Sequence, residues 1–435
     1  MSASATRPAP IAEPLAVTLA AQAIALAQAA AREDQLATWR EQARKQLASL
    51  AFPDKRTEQW KYTRLTTLDG GHLTQTAAPL SDKDLPFDLP EALAPCRLVL
   101  INGHYQPALS NPPAQGLSLT RLDGSASVPL TVTDDSLRTP FAWLNSAALT
   151  DGLVLNVPDG VALDSPVEVL MVSSGDQPAV CHPRLRLNLG SGSRATLIER
   201  YIGGGAVLTN AVTELFTGIG SDLVHYRLQA ERDDALHIGT LVINPGRDSR
   251  AHSFQLMQGS ALRRNDVRVL MDGSGAHAGL NGIFVGQGKT HTDNQICVEH
   301  RAAHASSEQV FKGMAGDQAK LVFNGRIHIF EGARGTHAEL SNKNLLLTDG
   351  AEVDTKPELE IYNDDVKCSH GTTCGQLDAQ GLFYLRSRGV PQEEAKRMLA
   401  FGFVNELLGA LPDTTVADWA RPWLESALTD ETARA

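Results

Sequence analysis

Aromatic residues are scarce in this chain: Phe, Trp and Tyr together make up 5% of its 435 residues. That is thin for an enzyme that stacks sugar rings along a groove. Cysteine is scarce too, with five in all, at Cys96, Cys181, Cys297, Cys368 and Cys374. Their number is odd, their spacing irregular, and no two form a CxxC pair. This argues against a secreted disulfide framework and against a permanent zinc or iron–sulfur centre built by one chain. Basic residues never form a long run and the formal net charge is -11, a poor field for phosphate backbones. Long apolar runs are missing as well. The best membrane candidate, residues 15–31, is rich in Ala and broken by Gln22 and Gln28, too short and weak to span a bilayer. Only Arg7 precedes it and Glu13 sits beside it, which is not the basic start of a leader peptide. The expectation is a cytoplasmic protein that binds neither nucleic acid nor membrane.

What is present falls into three textures. Residues 11–50 are dominated by the helix formers Ala, Leu, Gln, Glu and Arg, and Pro53 ends that pattern. The phrase Glu58-Gln59-Trp60-Lys61-Tyr62-Thr63 follows, then a Pro-rich stretch. Residues 1–95 therefore read as a helical N-terminal region with a connector. From residue 96 onward the helical period disappears. Leu185, Leu187 and Leu189 alternate with polar residues, as do Val267, Val269 and Met271, the period-two mark of strands with one buried face. Glycines recur at 190, 218, 246 and 273, and five residues after each stands Ala195, Leu223, Ala251 or Ala278. A repeat of this length predicts a solenoid: a right-handed parallel β-helix over residues 96–380. A β-sandwich built from hairpins competes, because Asn102-Gly103, Asn281-Gly282 and Asn324-Gly325 are hairpin signals. Helical patterning returns over residues 381–435. Pro391 suits a first turn, Glu393 and Glu394 complement the helix dipole, and Met398, Phe401, Phe403 and Leu407 lie on a broad apolar face.

Three segments invite chemistry. The run from Gly282 to Thr290 imitates a phosphate loop, but Gly282 stands one residue too far from Gly288 and a strand-like sequence follows, so nucleotide binding is rejected. His291, His300 and His304 read as structural histidines, because His300 and His304 would share a face only on a helix and the segment reads as a turn between strands. The strongest candidate runs from Asp364 to Cys374. On an extended strand Cys368 and His370 share one side, offering a thiolate and an imidazole to iron or a nascent cluster. Asp364 and Asp365 could add oxygen ligands. Two ligands are far short of four, so a partner chain would supply the rest; a buried, inert Cys368 is the competing reading.

The run from Asn342 to Gly371, NKNLLLTDGAEVDTKPELEIYNDDVKCSHG, closely resembles the core signature of the SufB/SufD family of the SUF iron–sulfur cluster assembly system. Phe383–Gly389 (FYLRSRG) and Glu58–Thr63 are similar to that family too, and the resemblance covers roughly residues 50 to 410. Members of the SufB branch carry a cysteine in the phrase that here contains Leu385, and the Lys367–Gly371 phrase is that of the SufD branch. The resemblance implies a non-catalytic subunit of a complex with one SufB and two copies of the ATPase SufC, and leaves open whether the chain alone forms a homodimer. It also implies that His370, with Cys368 beside it, lies at the SufB junction and assists entry of iron. No permanent cofactor is expected, only transient iron or an iron–sulfur cluster shared with SufB. The ATPase would dock around Pro391, Met398, Phe401, Phe403 and Leu407.

Overall fold

The computed structural model describes residues 15–54, 56–68, 71–111, 113–126 and 139–428. Arg7 and Glu13, used above to argue against a leader peptide, lie outside the described residues, as do residues 11–14 of the helical stretch. No described helix is long and apolar enough to cross a membrane.

Helix α1 (Leu15–Ala29) buries Leu19, Ala23, Leu26 and Ala27, a stripe at helical spacing. Helix α2 (Ala37–Ser49) buries Trp39, Ala43 and Leu47 together with Arg40. The Arg40 guanidinium is accommodated because Nε donates to the Leu149 carbonyl at 2.8 Å and Nη2 pairs with Asp34 at 2.7 Å.

Two antiparallel pairs open the β region: β1 (Cys96–Ile101) with β2 (His104–Tyr105), and β3 (Ser118–Arg121) with β4 (Leu153–Val157). Between β3 and β4 lies α3 (Pro140–Ala147), all of whose residues are buried. Its first turn is capped by Thr139, whose Oγ1 accepts from the Ala142 N–H at 3.2 Å. The strands that follow are β5 (Val167–Cys181), β6 (Arg184–Leu189), β7 (Arg194–Thr217), β8 (Asp222–Ala230), β9 (Leu236–Pro245), β10 (Arg250–Gln258) and β11 (Leu262–Met271). After them come β12 (His277–Gly286), β13 (His291–His300), β14 (Ser306–Ala315), β15 (Lys320–Ile329), β16 (Thr336–Leu346), β17 (Glu352–Ile361) and β18 (Val366–Gln376). Among the described residues every pairing from β5 onward is parallel; the long β7 pairs with both β6 and β8, and from β8 onward each strand stacks on the next but one, giving a β-solenoid with two strand stacks. One stack runs β8, β10, β12, β14, β16, β18 and the other β9, β11, β13, β15, β17.

The solenoid therefore prevails over the sandwich, and the glycine repeat has a steric cause. A Cβ on Gly246 would sit 2.4 Å from the Thr217 carbonyl oxygen, and one on Gly273 2.3 Å from the Gly246 carbonyl carbon. Successive coils approach so closely at this corner that only glycine fits. Ala195, Leu223, Ala251 and Ala278 stack in register one coil apart, as their spacing predicts. Of the three Asn-Gly signals only Asn102-Gly103 makes a hairpin, with both residues at positive φ. Asn281-Gly282 and Asn324-Gly325 lie inside β12 and β15.

The apolar interior runs along the solenoid, and in the coils of β7 to β11 it also encloses buried charged groups. Glu199 accepts from the Tyr201 hydroxyl at 2.9 Å and is bonded to His225 Nε2 at 3.1 Å, with Arg227 Nε 3.3 Å away. Burial raises the Glu199 carboxyl, but Arg227 and His225 outweigh it and hold it at about 2. A second knot joins Glu231 to His237 and Arg263, each contact 2.9 Å. Glu231 too is held at about 2, the paired cations overcoming its burial.

His300 gives a pH prediction. It is fully buried, its Nε2 bonded to Ser307 Oγ at 2.9 Å, and burial pushes it down to about 4. An unfolded chain protonates this imidazole near 6.5, the folded one only near 4, so its contribution to stability is present above 6.5 and lost as pH falls through that window. The full loss is about 3 kcal/mol. Thermal melts of His300→Gln and the parent should therefore converge between pH 7 and 4.5; a gap that stays constant would show that His300 does not titrate on unfolding.

Helix α4 (Ala379–Ser387) follows β18 and is capped by Asp378, which accepts from the Gln380 and Gly381 N–H groups. Helices α5 (Gln392–Gly409) and α6 (Thr414–Ala427) then fold back along the solenoid. Ala400, Val404, Leu407, Leu408, Val416, Ala420 and Leu424 pack on Tyr226, Leu228, Phe254, Leu256 and Ile283. Helix α6 runs through Pro422 without a break.

Candidate functional site

The last coil among the described residues consists of β17 and β18, and no described strand stacks on it. Along β18 alternate residues continue the inward columns of the solenoid. Cys368 is in register with Ala338, His370 with Leu340, Thr372 with Asn342 and Cys374 with Asn344, and all four of those β16 partners are buried. The same inward direction that buries a side chain in an inner coil leaves it open to solvent in an end coil that nothing covers. His370 and Cys374 are exposed, and Cys368 is half-buried against the edge of the apolar core. At a rise of about 3.3 Å per residue, Cys368 and His370 are spaced by about 7 Å along the strand and Cys374 lies about 13 Å beyond His370. Burial raises the thiols of both Cys368 and Cys374.

The strand thus places Cys368 and His370 on one face and adds Cys374 to that face, a residue to which the sequence argument gave no role. Asp364 and Asp365 sit in the bend before β18, exposed, where the Asp365 carbonyl accepts from the Gly335 N–H at 2.7 Å. No group of three or more His, Cys, Asp and Glu among the described residues is arranged to hold a metal ion. A thiol and an imidazole on one strand can therefore supply part of an iron coordination sphere and no more.

The other motifs resolve into structure. The segment Gly282–Thr290 spans β12 and a turn into β13, with no helix to receive a phosphate. His291 Nε2 bonds Thr63 Oγ1 at 3.0 Å, and His304 occupies a turn at φ 59. The Glu58–Thr63 phrase is a clamp onto the outer face of β11, β13 and β17. The Arg264 guanidinium lies 3.9 Å from the Trp60 ring centroid, donates to the Gln59 carbonyl at 2.9 Å, and pairs with Asp266 and Asp293. Thr63 Oγ1 donates to Asp293 at 2.6 Å, and Lys356 on β17 reaches Glu58 at 3.0 Å. This cover explains why β11, half-buried by its alternation, is buried on both faces.

The C-terminal docking expectation needs one correction. Leu407 is 8% exposed and belongs to the chain's own core, because α5 spends one apolar stripe on the solenoid. Phe401 and Phe403 are half-buried; the Phe403 carbonyl accepts from Lys312 Nζ at 2.7 Å and Arg421 lies over the Phe401 ring. Pro391 and Met398 are exposed, and Phe383 and Tyr384 on α4 are exposed at 75% and 57%. The outward apolar surface is thus Phe383, Tyr384 and Met398.

Sequence reasoning also missed a cleft of about 510 Å³ between the connector and the outer faces of β11, β13, β15 and β17. Cys297 lines it, in register with Arg268 on one side and Arg326 on the other. Only the coil register brings these three together, since they are nearly thirty residues apart in sequence.

Comparison with known proteins follows the same line. A family profile described as SUF system FeS cluster assembly, SufBD core domain, matches residues 171–403. An iron–sulfur cluster assembly SufBD family protein of Synechocystis sp. is 31% identical over 394 residues, 84% of this chain and 85% of that protein. The iron–sulfur cluster assembly protein SufD of Escherichia coli is 30% identical over 375 residues, covering 85% and 87% of the two chains. Bacillus subtilis SufD is 30% identical over 281 residues, 62% of each. Fold, end-coil motif and these likenesses agree: the chain belongs to the SufBD family of the SUF iron–sulfur cluster assembly system.

Proposed function

We propose that the chain is the SufD-type, non-catalytic partner in a cytoplasmic SUF assembly complex. It joins the open end of its solenoid to a SufB-type chain and carries a SufC-type ATPase on its C-terminal helices. The observation that carries this reading is the unstacked last coil, which turns Cys368 and His370 of the interior columns toward whatever covers it. Iron and the nascent cluster are cargo at that junction, with an imidazole and a thiol offered from this side and the remaining ligands from the partner. The exposed trio Phe383, Tyr384 and Met398 supports ATPase docking beside the same end. ATP-driven movement of the docked subunits would then work the junction, provided that their contacts differ in free energy between two states.

Cys368 has a second reading of its own, as core filler, because it packs against the apolar cluster of the interior. The test is co-expression with SufB and SufC, co-purification, and the visible absorbance of bound cluster. His370→Ala should leave the complex intact and lower cluster content about tenfold. An unchanged signal in an intact complex would remove His370 from the chemistry, and failure to form any complex would overturn the partner assignment.

A further inference from the structure

The cleft under the connector combines a thiol, a carboxylate and guanidinium groups, none of which the end-coil chemistry uses. Cys297 is half-buried on the outer face of β13, and its Sγ lies 3.9 Å from Glu299 Oε1. Glu299 is 1% exposed and is held by Arg268 and by Arg301 Nη2, the latter at 2.6 Å. Adjacent parallel strands are about 4.8 Å apart, so Arg268 and Arg326 flank the thiol above and below. Cationic flanks of this kind favour the thiolate as a nucleophile.

A second observation points to a ligand. Arg268 is 8% exposed and lines the cleft, yet its Nη1 has no hydrogen-bond partner among the described residues. A buried guanidinium N–H without an acceptor costs on the order of 1–3 kcal/mol, which an acceptor on a bound molecule would recover. The rest of the cleft carries both signs of charge in pairs, Arg326 with Glu360 and Lys356 with Glu58 and Glu358, which a ligand bearing both signs can join without leaving either unbalanced. Such a lining matches a molecule carrying both ammonium and carboxylate groups.

We propose that this cleft binds a small zwitterionic disulfide and that Cys297 exchanges with it to form a mixed disulfide. Glu299 accepts the thiol proton, and the Cys297 sulfur attacks one sulfur of the ligand. A new S–S bond forms as the ligand's own S–S bond breaks, and the departing half leaves as a thiolate that takes the proton from Glu299. Cys297 is oxidised and half of the ligand is reduced, with no further reagent. This site is separate from the end coil and does not depend on the reading of it given above.

The test uses the full chain with oxidised glutathione at neutral pH, acid quenching, and mass-spectrometric counting of the adduct at each cysteine. Cys374 is the more exposed and Cys96 and Cys181 are buried, so exposure alone would put Cys374 first. The expected result is that Cys297 reacts about tenfold faster than Cys374. Glu299→Gln should slow Cys297 about tenfold and leave Cys374 unchanged. Arg326→Gln, at a half-exposed position, should slow Cys297 severalfold and serves if the Glu299 variant misfolds. Reaction at Cys297 no faster than at Cys374 would overturn the proposal. Equal preference for the uncharged 2-hydroxyethyl disulfide would overturn the ligand class.

Discussion

Replacing Arg264 by alanine should be among the most destabilising single changes in this protein, costing about 3–5 kcal/mol. The guanidinium is 1% exposed and serves three elements at once: Asp266 on its own strand, Asp293 one coil on, and the Trp60 ring with the Gln59 carbonyl of the connector. Removing it leaves two buried carboxylates without their cation, and a buried charge that loses its partner costs more than the pair contributed. Burial already pushes the Asp266 carboxyl up, against the pull of Arg264, so its protonation should follow in the variant. The connector should also come loose, because Trp60 and Gln59 lose the group they rest on. Limited proteolysis within Glu58–Thr63, together with a melting curve, reads both effects. Cleavage and melting like those of the parent would mean that the clamp is held from elsewhere, by Thr63 and Lys356.

The second large effect is expected at the open coil. Ile361 ends β17 in the inward column that contains Ile329, yet is 42% exposed because no described residue stacks above it. Ile361→Glu should cost the isolated chain little, since the carboxylate stays in water. In the proposed junction with a SufB-type chain the same carboxylate would be buried without a partner, which weakens association by about a hundredfold or more. Co-purification should be lost while the melting temperature of the chain alone changes little. Normal co-purification would place the partner on another surface.

How much of this was readable beforehand depended on whether the cause is local. The glycine series was legible because each coil repeats one steric demand, the backbone contact at Gly218, Gly246 and Gly273. Cys368 and His370 were legible as a same-face pair because period two is a property of any strand. Asn281-Gly282 misled because its glycine answers a distant neighbour: a Cβ there would meet the Phe311 ring at 2.4 Å. Leu407 misled because α5 is apolar on more than one side, and only the packed structure decides which stripe faces the solenoid. The Arg268–Cys297–Arg326 column was invisible because coils differ slightly in length, and their stacking register is settled by the turns. Cys374 joined the candidate face only once β18 was known to continue past His370 without a bulge.

The uncovered end has a consequence for supply. Among the described residues, strands β17 and β18, ten and eleven residues long, each pair along one edge only and leave the other edge without a strand partner. Such an edge accepts another strand readily, and it does not distinguish strongly between a partner and a second copy of itself. If the proposed junction forms, any molecule made in excess of the SufB-type chain should therefore self-associate through this end or be removed by the cell's quality control. Matched production of the two chains, and not affinity alone, would then set how much working complex a cell contains.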